Sequence, residues 1–325
     1  MNYKKNDTRF EHALNLLTEG HVVGMPTETV YGLAADATND KAVAQIYALK
    51  ERPSFNPLII HVDSIEMARQ WGDFSPLALQ LAEAFWMIGS LYQRPLTLVV
   101  KRNNRGLSHL VTAGLDTVAI RIPAHSVALS LITAFGKPLA APSANRSNHI
   151  SPTTADAVRQ DLGDRVSLVL DGGACVVGLE STIVDVTTDC PILLRPGGAT
   201  VEMIKSVSGC TVQCVTNTAH IVAPGMLKRH YAPHHPLRLN VTSPLPGDAF
   251  LGFGSTPEAT MNLSESGDLT EAASNLFAMM RFLDQSSCKE IAVSPIPNIG
   301  IGMAINDRLT RAACMDLGSD IKSLE

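Results

Sequence analysis

The sequence has little of what marks several large classes of protein. Its six cysteines include no C-x-x-C pair, so neither a zinc site nor a disulfide framework is indicated. The net charge of −5 argues against a broad basic surface for nucleic acid. No apolar run approaches membrane-spanning length, and the polar N-terminus has no secretory h-region. We therefore expect a cytoplasmic protein in which any anion-binding site is a local pocket.

The common nucleotide-binding and hydrolase motifs are also absent. The chain contains no G-x-x-x-x-G-K-[ST] loop, no G-x-G-x-x-G fingerprint, no H-E-x-x-H and no G-x-S-x-G. A nucleotide site in this protein must therefore be built without the usual phosphate loops.

Length and composition predict a globular protein of two domains. The chain has 325 residues, of which 45% are hydrophobic and 18% are charged. Segments typical of strands and helices alternate without a strict βαβ rhythm, which favours an α/β fold with a mixed sheet. Segment 216–236 is rich in Pro and His and has no periodicity, so it is interpreted as a linker. We predict a first domain over 1–215, this linker, and a small α/β domain over 237–325.

Several elements have clear local signals. Asp40 is predicted to cap a helix that ends before Pro53, and Ser75-Pro76 to begin another. SLVLDGG (167–173) is predicted as a strand, and STIVDVTT and PILLRP after it as a paired hairpin.

The first candidate site is PTETVYGL (26–33), a polar run directly after the first predicted strand. Open α/β sheets bind ligands at such edges. The alternative is a simple turn in which Thr27 and Thr29 satisfy backbone amides. A cation pair follows in Lys50 and Arg52, where the predicted helix breaks before a loop and a buried strand. Arg suits bidentate contact with phosphate, but basic residues in a last helical turn often only complement the helix dipole.

Further polar residues occur on other predicted loops and strands. Arg121 lies inside an apolar strand, where it needs partners or an anionic ligand. Ser143 and Asn145, two residues apart, face the same side of an extended segment, although a polar surface loop is the alternative. Each signal is weak alone. Together with Ser181 and Arg195 they indicate a pocket for a polyanion such as a nucleoside triphosphate.

The order of these motifs resembles the YrdC/Sua family of threonylcarbamoyl-AMP synthases. The motifs that carry the resemblance are PTETVYGLAADA (26–37), Lys50 and Arg52 with NPL (56–58), the S-x-N of Ser143 and Asn145, ESTIVD (180–185) and LRPG (194–197). APGMLKRHYAP (223–233) and GMAINDRLTRAA (302–313) resemble the longer, two-domain branch of that family. The resemblance implies a YrdC-like twisted mixed sheet with a concave pocket, followed by a Rossmann-like C-terminal domain.

The resemblance also implies an activity. Members of the family condense L-threonine, bicarbonate and ATP to L-threonylcarbamoyl-AMP and release pyrophosphate. A partner transferase complex then modifies the adenosine next to the anticodon of certain tRNAs. The expected enzyme is thus a nucleotidyltransferase that uses Mg²⁺ held mainly by the phosphates, with no side-chain metal ligands. It is expected to bind tRNA weakly or indirectly and not to associate with membranes.

Site residues carry over from the family position by position. The predicted catalytic residues are Lys50, Arg52, Ser143 and Asn145. The residues predicted to bind threonine and its carbamate are Thr29, His61, Arg121 and Ser181. The residues predicted to bind ATP are Arg52, Asn56, Thr117, Ser143, Ser151, Arg195 and Tyr231.

The linker and one insertion carry further predictions. Tyr231 resembles the tyrosine that folds back over the nucleotide in the family, which predicts a lid rather than a passive tether. His230, His234 and His235 are interpreted as solvated linker residues rather than a metal cluster. MIGSLYQR (87–94) replaces the Pro-Gly turn that is usual in the family. The alternatives for it are a helix extension, a surface loop, a partner contact, or a disturbance of the pocket wall if the strand at 95–100 lines the pocket.

Three other functions compete with this prediction. The main alternative is a non-catalytic module that binds RNA or nucleotides, whose RNA binding would fall steeply with salt and need no threonine. A carbamoyl-adenylate-forming enzyme related to hydrogenase-maturation proteins would carry extra zinc-finger-like parts, which this chain lacks. Simple nucleotide hydrolysis would show no dependence on threonine.

Overall fold

The chain forms two compact units in the computed structural model. The first unit comprises Met1–Ser147 and Ser151–Met226, and the second comprises Asn148–Ile150 and Leu227–Glu325. The structure describes residues 8–87, 89, 95–103, 105–214, 223–227 and 229–314. The change from the first unit to the second therefore falls inside the segment predicted as a linker.

A ten-stranded sheet forms the centre of the first unit. Its strands are β1 (Val23–Met25), β2 (Gly32–Asp36), β3 (Ile59–His61), β4 (Gly72–Asp73), β5 (Leu96–Arg102), β6 (Thr117–Arg121), β7 (Leu139–Ala140), β8 (Thr182–Asp185), β9 (Ile192–Arg195) and β10 (Gln213–Cys214). The order is β1-β2-β7-β3-β6-β5-β8-β9-β10, with β4 paired to β5. Strands β3 and β6, β5 and β8, and β9 and β10 are parallel, whereas the other neighbours are antiparallel. The predicted mixed sheet is confirmed.

Most helices of the first unit begin at a residue whose side chain accepts from a free backbone amide. They are α1 (Thr8–Thr18), α2 (Asp40–Lys50), α3 (Ile65–Trp71), α4 (Pro76–Trp86), α5 (His109–Thr112), α6 (Ser126–Phe135), α7 (Ala155–Leu162) and α8 (Val201–Ser208). The Ser75 side chain accepts from the Ala78 amide and Pro76 occupies the first turn of α4, as predicted. The cap of α2 was assigned one residue too late: Asn39, not Asp40, accepts from the first free amides.

Apolar faces hold α1 and α6 against one end of the sheet. Phe10 and Leu17 from α1 pack with Leu131 from α6 and with Val23 and Leu139 from the strands. This burial of apolar surface stabilises the strands that lead into the polar run 26–33. The position of that run is therefore set by the core on which β1 and β2 lie.

Two predictions for strands meet different outcomes. The hairpin is confirmed, since β8 and β9 pair antiparallel with a bulge between Ile183 and Val184. The strand predicted over 167–173 is wrong, because the segment makes only an isolated bridge between Val169 and Gly24. Any side chain at Gly24 would meet Val169 at 2.9 Å, so the segment packs across β1.

The second unit has a parallel sheet of its own. Its strands are β11 (Leu237–Arg238), β12 (Ala249–Gly252), β13 (Met261–Asn262) and β14 (Ile291–Val293), in the order β11-β14-β12-β13. All three pairings are parallel. The helices are α9 (Leu269–Asp284), which packs on β12, and α10 (Gly302–Ala313), which packs on β11. A parallel sheet with helices packed on it confirms the α/β class predicted for this part of the chain.

Gly197 gives a direct test of this packing. A Cβ atom at this position would lie 2.3 Å from the Thr182 amide nitrogen and 2.5 Å from the Glu180 carbonyl oxygen. Because backbone cannot rotate away as a side chain can, we expect Gly197→Ala to lower the free energy of unfolding by about 2 kcal/mol or more. Urea denaturation measures this change.

Gly106→Ala is the control for this substitution. Gly106 has open space around its Cβ position but a positive φ, which Gly197 lacks, so its substitution reports backbone strain without any collision. A loss of stability below about 1 kcal/mol in Gly197→Ala would contradict the close approach of the chains at Gly197.

Candidate active site

Strand pairing places basic and polar residues in a row across one face of the first sheet. His61 pairs with Arg121 in the parallel register of β3 and β6, and Arg195 pairs with Ile183 between β9 and β8. Thr97 also pairs with Ile183, and the register of β5 and β6 continues to put it opposite Arg121. Side chains of paired residues point to the same face. Two arginines and a histidine that are far apart in sequence therefore lie on one sheet surface, with His61 next to Arg121 and Arg195 three strands away from Arg121.

Arg121 is buried, and two nitrogens of its guanidinium group already donate hydrogen bonds within the protein. Its Nη1 donates to the Thr29 hydroxyl over 2.9 Å, and its Nη2 donates to Glu28 Oε1 over 2.5 Å. Its Nε is buried with no hydrogen-bond partner among the described residues. The ion pair with Glu28 offsets the cost of burying the cation. A bidentate grip on the threonine carboxylate stays a prediction, and any such ligand must share the guanidinium with Glu28.

His61 lies beside this guanidinium and is 3% exposed. Burial, with a smaller contribution from the neighbouring charge of Arg121, lowers the pKa of His61 to about 3. The imidazole is therefore neutral at physiological pH. Its Nδ1 has no hydrogen-bond partner in the described part of the chain, so it can face a ligand.

Arg195 organises the ESTIVD turn. Its Nε and Nη2 both donate to the Ser181 carbonyl, over 3.1 and 2.8 Å, and Nη2 also reaches the Ser181 hydroxyl at 3.2 Å. That hydroxyl lies 2.7 Å from the Thr97 hydroxyl. Gly197 permits this arrangement, since a side chain there would collide with the backbone of the turn. Ser181 and Arg195, predicted for different substrates, are thus in direct contact.

Lys50 supports the loop that carries Ser143 and Asn145. Its ammonium group donates to both backbone carbonyls over 2.6 Å, and it lies 3.5 Å from Asn145 Oδ1. Burial lowers the pKa of Lys50 well below its usual range, with the nearby charge of Arg52 adding to the effect. These contacts favour a role for Lys50 in positioning the loop over a direct contact with phosphate.

Arg52, Asn56 and Thr117 belong to the other end of the same strands. Arg52 donates to the carbonyls of Asn56 and Pro57, directly before β3, while Thr117 begins β6. At about 3.3 Å per residue, Thr117 lies roughly 13 Å along the strand from Arg121 and on the same face. The Asn56 amide is buried with no hydrogen-bond partner for either polar atom among the described residues. Of the predicted ATP residues, Arg52, Asn56 and Thr117 therefore lie at the opposite end of this face from His61 and Arg121, whereas Arg195 lies in the row of Arg121.

Two carboxylates of the site were not predicted as site residues. Glu180 accepts from the Ser151 hydroxyl over 2.5 Å, and Glu28 pairs with Arg121 as described above. Both glutamates are buried, at 7% and 5% exposed, respectively. A signal was present, because each glutamate is flanked by Ser or Thr at a predicted strand end. Thr97 had no such signal, since it lies in an apolar strand.

The start of the predicted linker packs on the site face. Ala223 and Met226 contact Ile59, Val99 and Ala119, which share the face of His61 and Arg121. In addition, Arg195 Nη1 donates to the Pro224 carbonyl over 3.3 Å. This part of the linker therefore contacts the surface between the two ends of the site.

The end of the linker belongs to the second unit. Tyr231 is buried, and its ring stacks on Phe277 with centroids 5.4 Å apart. The prediction that the histidines next to it are solvated is confirmed for His234, which is exposed, but it is wrong for His230, which is 8% exposed. His235 is half-buried, and both His234 and His235 contact Asp284. Burial of His230 follows from its ring packing against Tyr231 at 3.9 Å.

Two further predictions concern metals and the insertion. No group of three or more His, Cys, Asp and Glu residues is arranged to hold a metal within the described ranges. Most of the insertion 87–94 lies outside the described residues, and Met87, which is included, ends α4 as an exposed cap.

None of the helices in the described part of the chain combines the length and apolarity needed to cross a bilayer.

Fold and site together define an α/β protein whose mixed sheet carries a polar, cationic binding face. The model of the Sua5/YciO/YrdC family, described as telomere recombination, matches residues 15–197, and that of the threonylcarbamoyl-AMP synthase C-terminal domain matches residues 199–314. The chain therefore belongs to the Sua5/YciO/YrdC family.

Relatives of full length support this membership. The threonylcarbamoyl-AMP synthase of Bacillus subtilis (strain 168) is 38% identical, with 95% of this chain and 94% of the relative covered. The crystal structure of Pyrococcus abyssi Sua5 complexed with L-threonine is similar, with a TM-score of 0.84, 35% identity and 94% of each chain covered. The structure of full-length HypF is similar in fold alone, with a TM-score of 0.52, 18% identity, and 60% of this chain and 30% of that chain covered.

Neutral, buried His61 leads to a prediction for pH dependence. The pKa of His61 is about 3 in the folded protein, below the usual 6.5. At pH values between these two, the unfolded chain therefore binds a proton at His61 that the folded chain does not bind. Stability from this site is full above pH 6.5 and is lost as the pH falls toward 3. We expect His61 to make the free energy of unfolding about 2 kcal/mol smaller at pH 5 than at pH 7.

Urea denaturation of the His61→Asn variant at the two pH values measures this contribution. The difference between pH 5 and pH 7 is expected to shrink in this variant. It should stay unchanged when the exposed His12 is replaced by Asn. A His61→Asn variant with the full pH dependence of the unsubstituted protein would contradict a neutral, buried imidazole.

Proposed function

We propose that the chain condenses L-threonine, bicarbonate and ATP to L-threonylcarbamoyl-AMP and releases pyrophosphate. The observation that carries the proposal is the row of His61, Arg121 and Arg195 on one sheet face. Relatives of full length named threonylcarbamoyl-AMP synthase, and the Pyrococcus abyssi Sua5 structure with L-threonine, support the choice of substrates. In chemical terms the enzyme is a nucleotidyltransferase.

The reaction joins two anions, which decides what the site must supply. Bicarbonate takes up a proton and loses its hydroxyl group as water to give CO₂. The amine of threonine adds to the carbon of this CO₂ and loses a proton, giving a carbamate. A carbamate oxygen then attacks the α-phosphorus of ATP, and the bond to the β-phosphate oxygen breaks with its electrons leaving on pyrophosphate. No side-chain nucleophile is required. The protein must instead neutralise both reactants and align them.

Arg121 and His61 suit the threonine end of the face. The unpartnered Arg121 Nε and the remaining hydrogens of its guanidinium can donate to the threonine carboxylate. His61 is neutral and has an unpartnered Nδ1, so it can contact the amine or the carbamate without adding charge. Thr29 and Ser181 add hydroxyls on either side of Arg121. The carboxylate of Glu28 limits how much anionic charge this end can accept.

Arg52, Asn56 and Arg195 suit the nucleotide. Arg195 can exchange its 3.3 Å contact with the Pro224 carbonyl for a phosphate oxygen, which is the stronger acceptor. The buried Asn56 side chain offers its NH₂ group as a donor and its carbonyl oxygen as an acceptor to the nucleotide. Ser143, Asn145 and Ser151 contribute from loops that Lys50 and Glu180 hold in place. Thr117 completes this end of the face.

The linker and the metal complete the proposal. Ala223 and Met226 pack on the site face. ATP would displace this segment, and the segment together with Tyr231 would then close over the site as a lid and shield the product from water. Mg²⁺ prefers phosphate oxygens and water as ligands, so it would enter with ATP and neutralise part of the triphosphate charge. The product would pass to a separate transferase complex that modifies tRNA in the cytoplasm, and direct tRNA binding would be weak.

Pyrophosphate release is the first test of this function. We expect release from ATP that requires both L-threonine and bicarbonate, because the attacking oxygen belongs to the carbamate. A continuous coupled assay for pyrophosphate measures it. Release without threonine would instead indicate a hydrolase. Binding of RNA or nucleotide without any release from folded protein would favour the non-catalytic alternative.

The two ends of the face lead to opposite kinetic predictions. The double variant Arg121→Met, Glu28→Gln removes both charges of the buried pair, so neither charge is left without a partner. We expect it to lower kcat/KM for threonine by roughly 30-fold or more, with a much smaller effect on the KM for ATP. Arg52→Ala should show the reverse pattern.

Initial rates with each substrate varied in turn separate the two patterns. Arg159→Ala is the matched control, because Arg159 pairs only with Asp156 at the surface among its described contacts. Identical effects of the Arg121 and Arg52 variants on both substrates would contradict the assignment of separate ends.

A further inference from the structure

The second unit contains a cavity at the carboxyl ends of three neighbouring parallel strands. Its volume is about 360 Å³, at the lower end of the range typical of small-molecule sites. It is lined by the segments that follow β11, β12 and β14, including Val241–Ser243, Phe253–Glu258 and Ser294. Open parallel sheets bind ligands in this position, outside the carboxyl ends of their strands. The site proposed for catalysis lies in the first unit, so this cavity has no assigned use.

Ser294 is the feature of the cavity that most needs a ligand. It follows β14 directly and is 7% exposed, yet its hydroxyl has no hydrogen-bond partner in the described part of the chain. Its backbone amide donates to the Leu251 carbonyl over 3.0 Å, which fixes the residue at the carboxyl end of β14. A buried hydroxyl without a partner is costly. A polar ligand atom in the cavity would satisfy it.

The loop after β12 is shaped to form one wall. A side chain at Gly252 would lie 2.6 Å from the Ala259 side chain and 2.9 Å from Thr256 Cβ, so glycine lets the loop fold back closely. The Thr256 hydroxyl donates to the Phe253 carbonyl over 2.9 Å and so holds the loop, while its oxygen can still accept. The wall is therefore preformed.

The chemistry of the lining selects against anions. Hydroxyl groups come from Thr242, Ser243, Ser255, Thr256 and Ser294, and apolar surface comes from the rings of Phe250 and Phe253. The lining residues that the structure describes include no Lys, Arg or His, and their one ionisable side chain is the carboxylate of Glu258. Hydroxyls suit a sugar diol, and phenyl rings suit a planar base. A phosphate would find no cation here and would be repelled by the carboxylate.

We propose that this cavity binds an uncharged nucleoside. The ribose hydroxyls bond to the Ser and Thr side chains, including Ser294, and the base lies against the phenylalanine rings. The preference of this site is opposite to that of the catalytic face, which is built on buried cations and suits a nucleoside triphosphate. The inference does not depend on the reaction proposed for the first unit.

Hydrogen exchange of the full chain, read by mass spectrometry, tests the proposal with adenosine as the probe. We expect adenosine to slow exchange in peptides that cover 241–258 and 290–296. AMP is expected to need at least about tenfold higher concentration for the same protection, because its phosphate is disfavoured. Any adenosine bound at the catalytic face would protect peptides of the first unit instead, so the two locations are distinguishable.

Two serine variants provide a matched pair. The Ser294 hydroxyl has no partner among the residues that the structure describes, so Ser294→Ala should fold with unchanged or greater stability and bind adenosine about tenfold more weakly. The Ser286 hydroxyl donates to the Leu283 carbonyl outside the cavity, so Ser286→Ala should lower the unfolding midpoint and leave adenosine binding unchanged.

Three results would overturn the proposal. The first is no protection of these peptides by adenosine up to about 10 mM, which corresponds to no useful affinity. The second is AMP binding as tightly as adenosine. The third is full affinity for adenosine in Ser294→Ala. Pyrophosphate release should be unchanged in both serine variants, since neither residue belongs to the catalytic face.

Discussion

The burial of guanidinium groups on one sheet face is the constraint on which the rest of the first unit depends. A buried cation must be hydrogen-bonded, and it must also keep donors for its ligand. Arg121 meets this requirement through Glu28 and Thr29, and Arg195 meets it largely through the Ser181 carbonyl. The turns that supply these acceptors come from distant parts of the chain. Their convergence on one face therefore depends on the tertiary fold of the whole unit.

This constraint also accounts for the polar run after the first strand. PTETVYGL supplies both partners of Arg121, and its hydroxyls satisfy its own backbone, since the Thr27 oxygen accepts from the Thr29 and Val30 amides. The turn considered for this segment is therefore confirmed, whereas its role in binding a ligand stays a prediction. Thr27 closes the turn, whereas Glu28 and Thr29 face the arginine. A turn held by its own side chains presents these groups with little loss of conformational entropy on binding.

Much of the fold was predictable because its signals are local. The cap at Ser75, the hairpin before Arg195 and the α/β class follow from sequence patterns that do not need tertiary contacts. The strand β2 was missed because GLAAD has weak strand propensity and is held by pairing with β1 and β7. For the site, residue types indicated anion binding, but only pairing between strands shows that Glu28 offsets Arg121. Tyr231 shows the same limit, since its stacking on Phe277 depends on a helix 46 residues away in sequence.

The central claim is that one sheet face joins a threonine carbamate to the α-phosphate of ATP. Mass spectrometry of the product formed from ¹³C-bicarbonate, L-threonine and ATP tests this claim most directly. The account predicts a single species that contains threonine, AMP and one ¹³C atom, formed in step with pyrophosphate. Formation of AMP and pyrophosphate without any species that carries both threonine and ¹³C, or formation of ADP and phosphate, would contradict it.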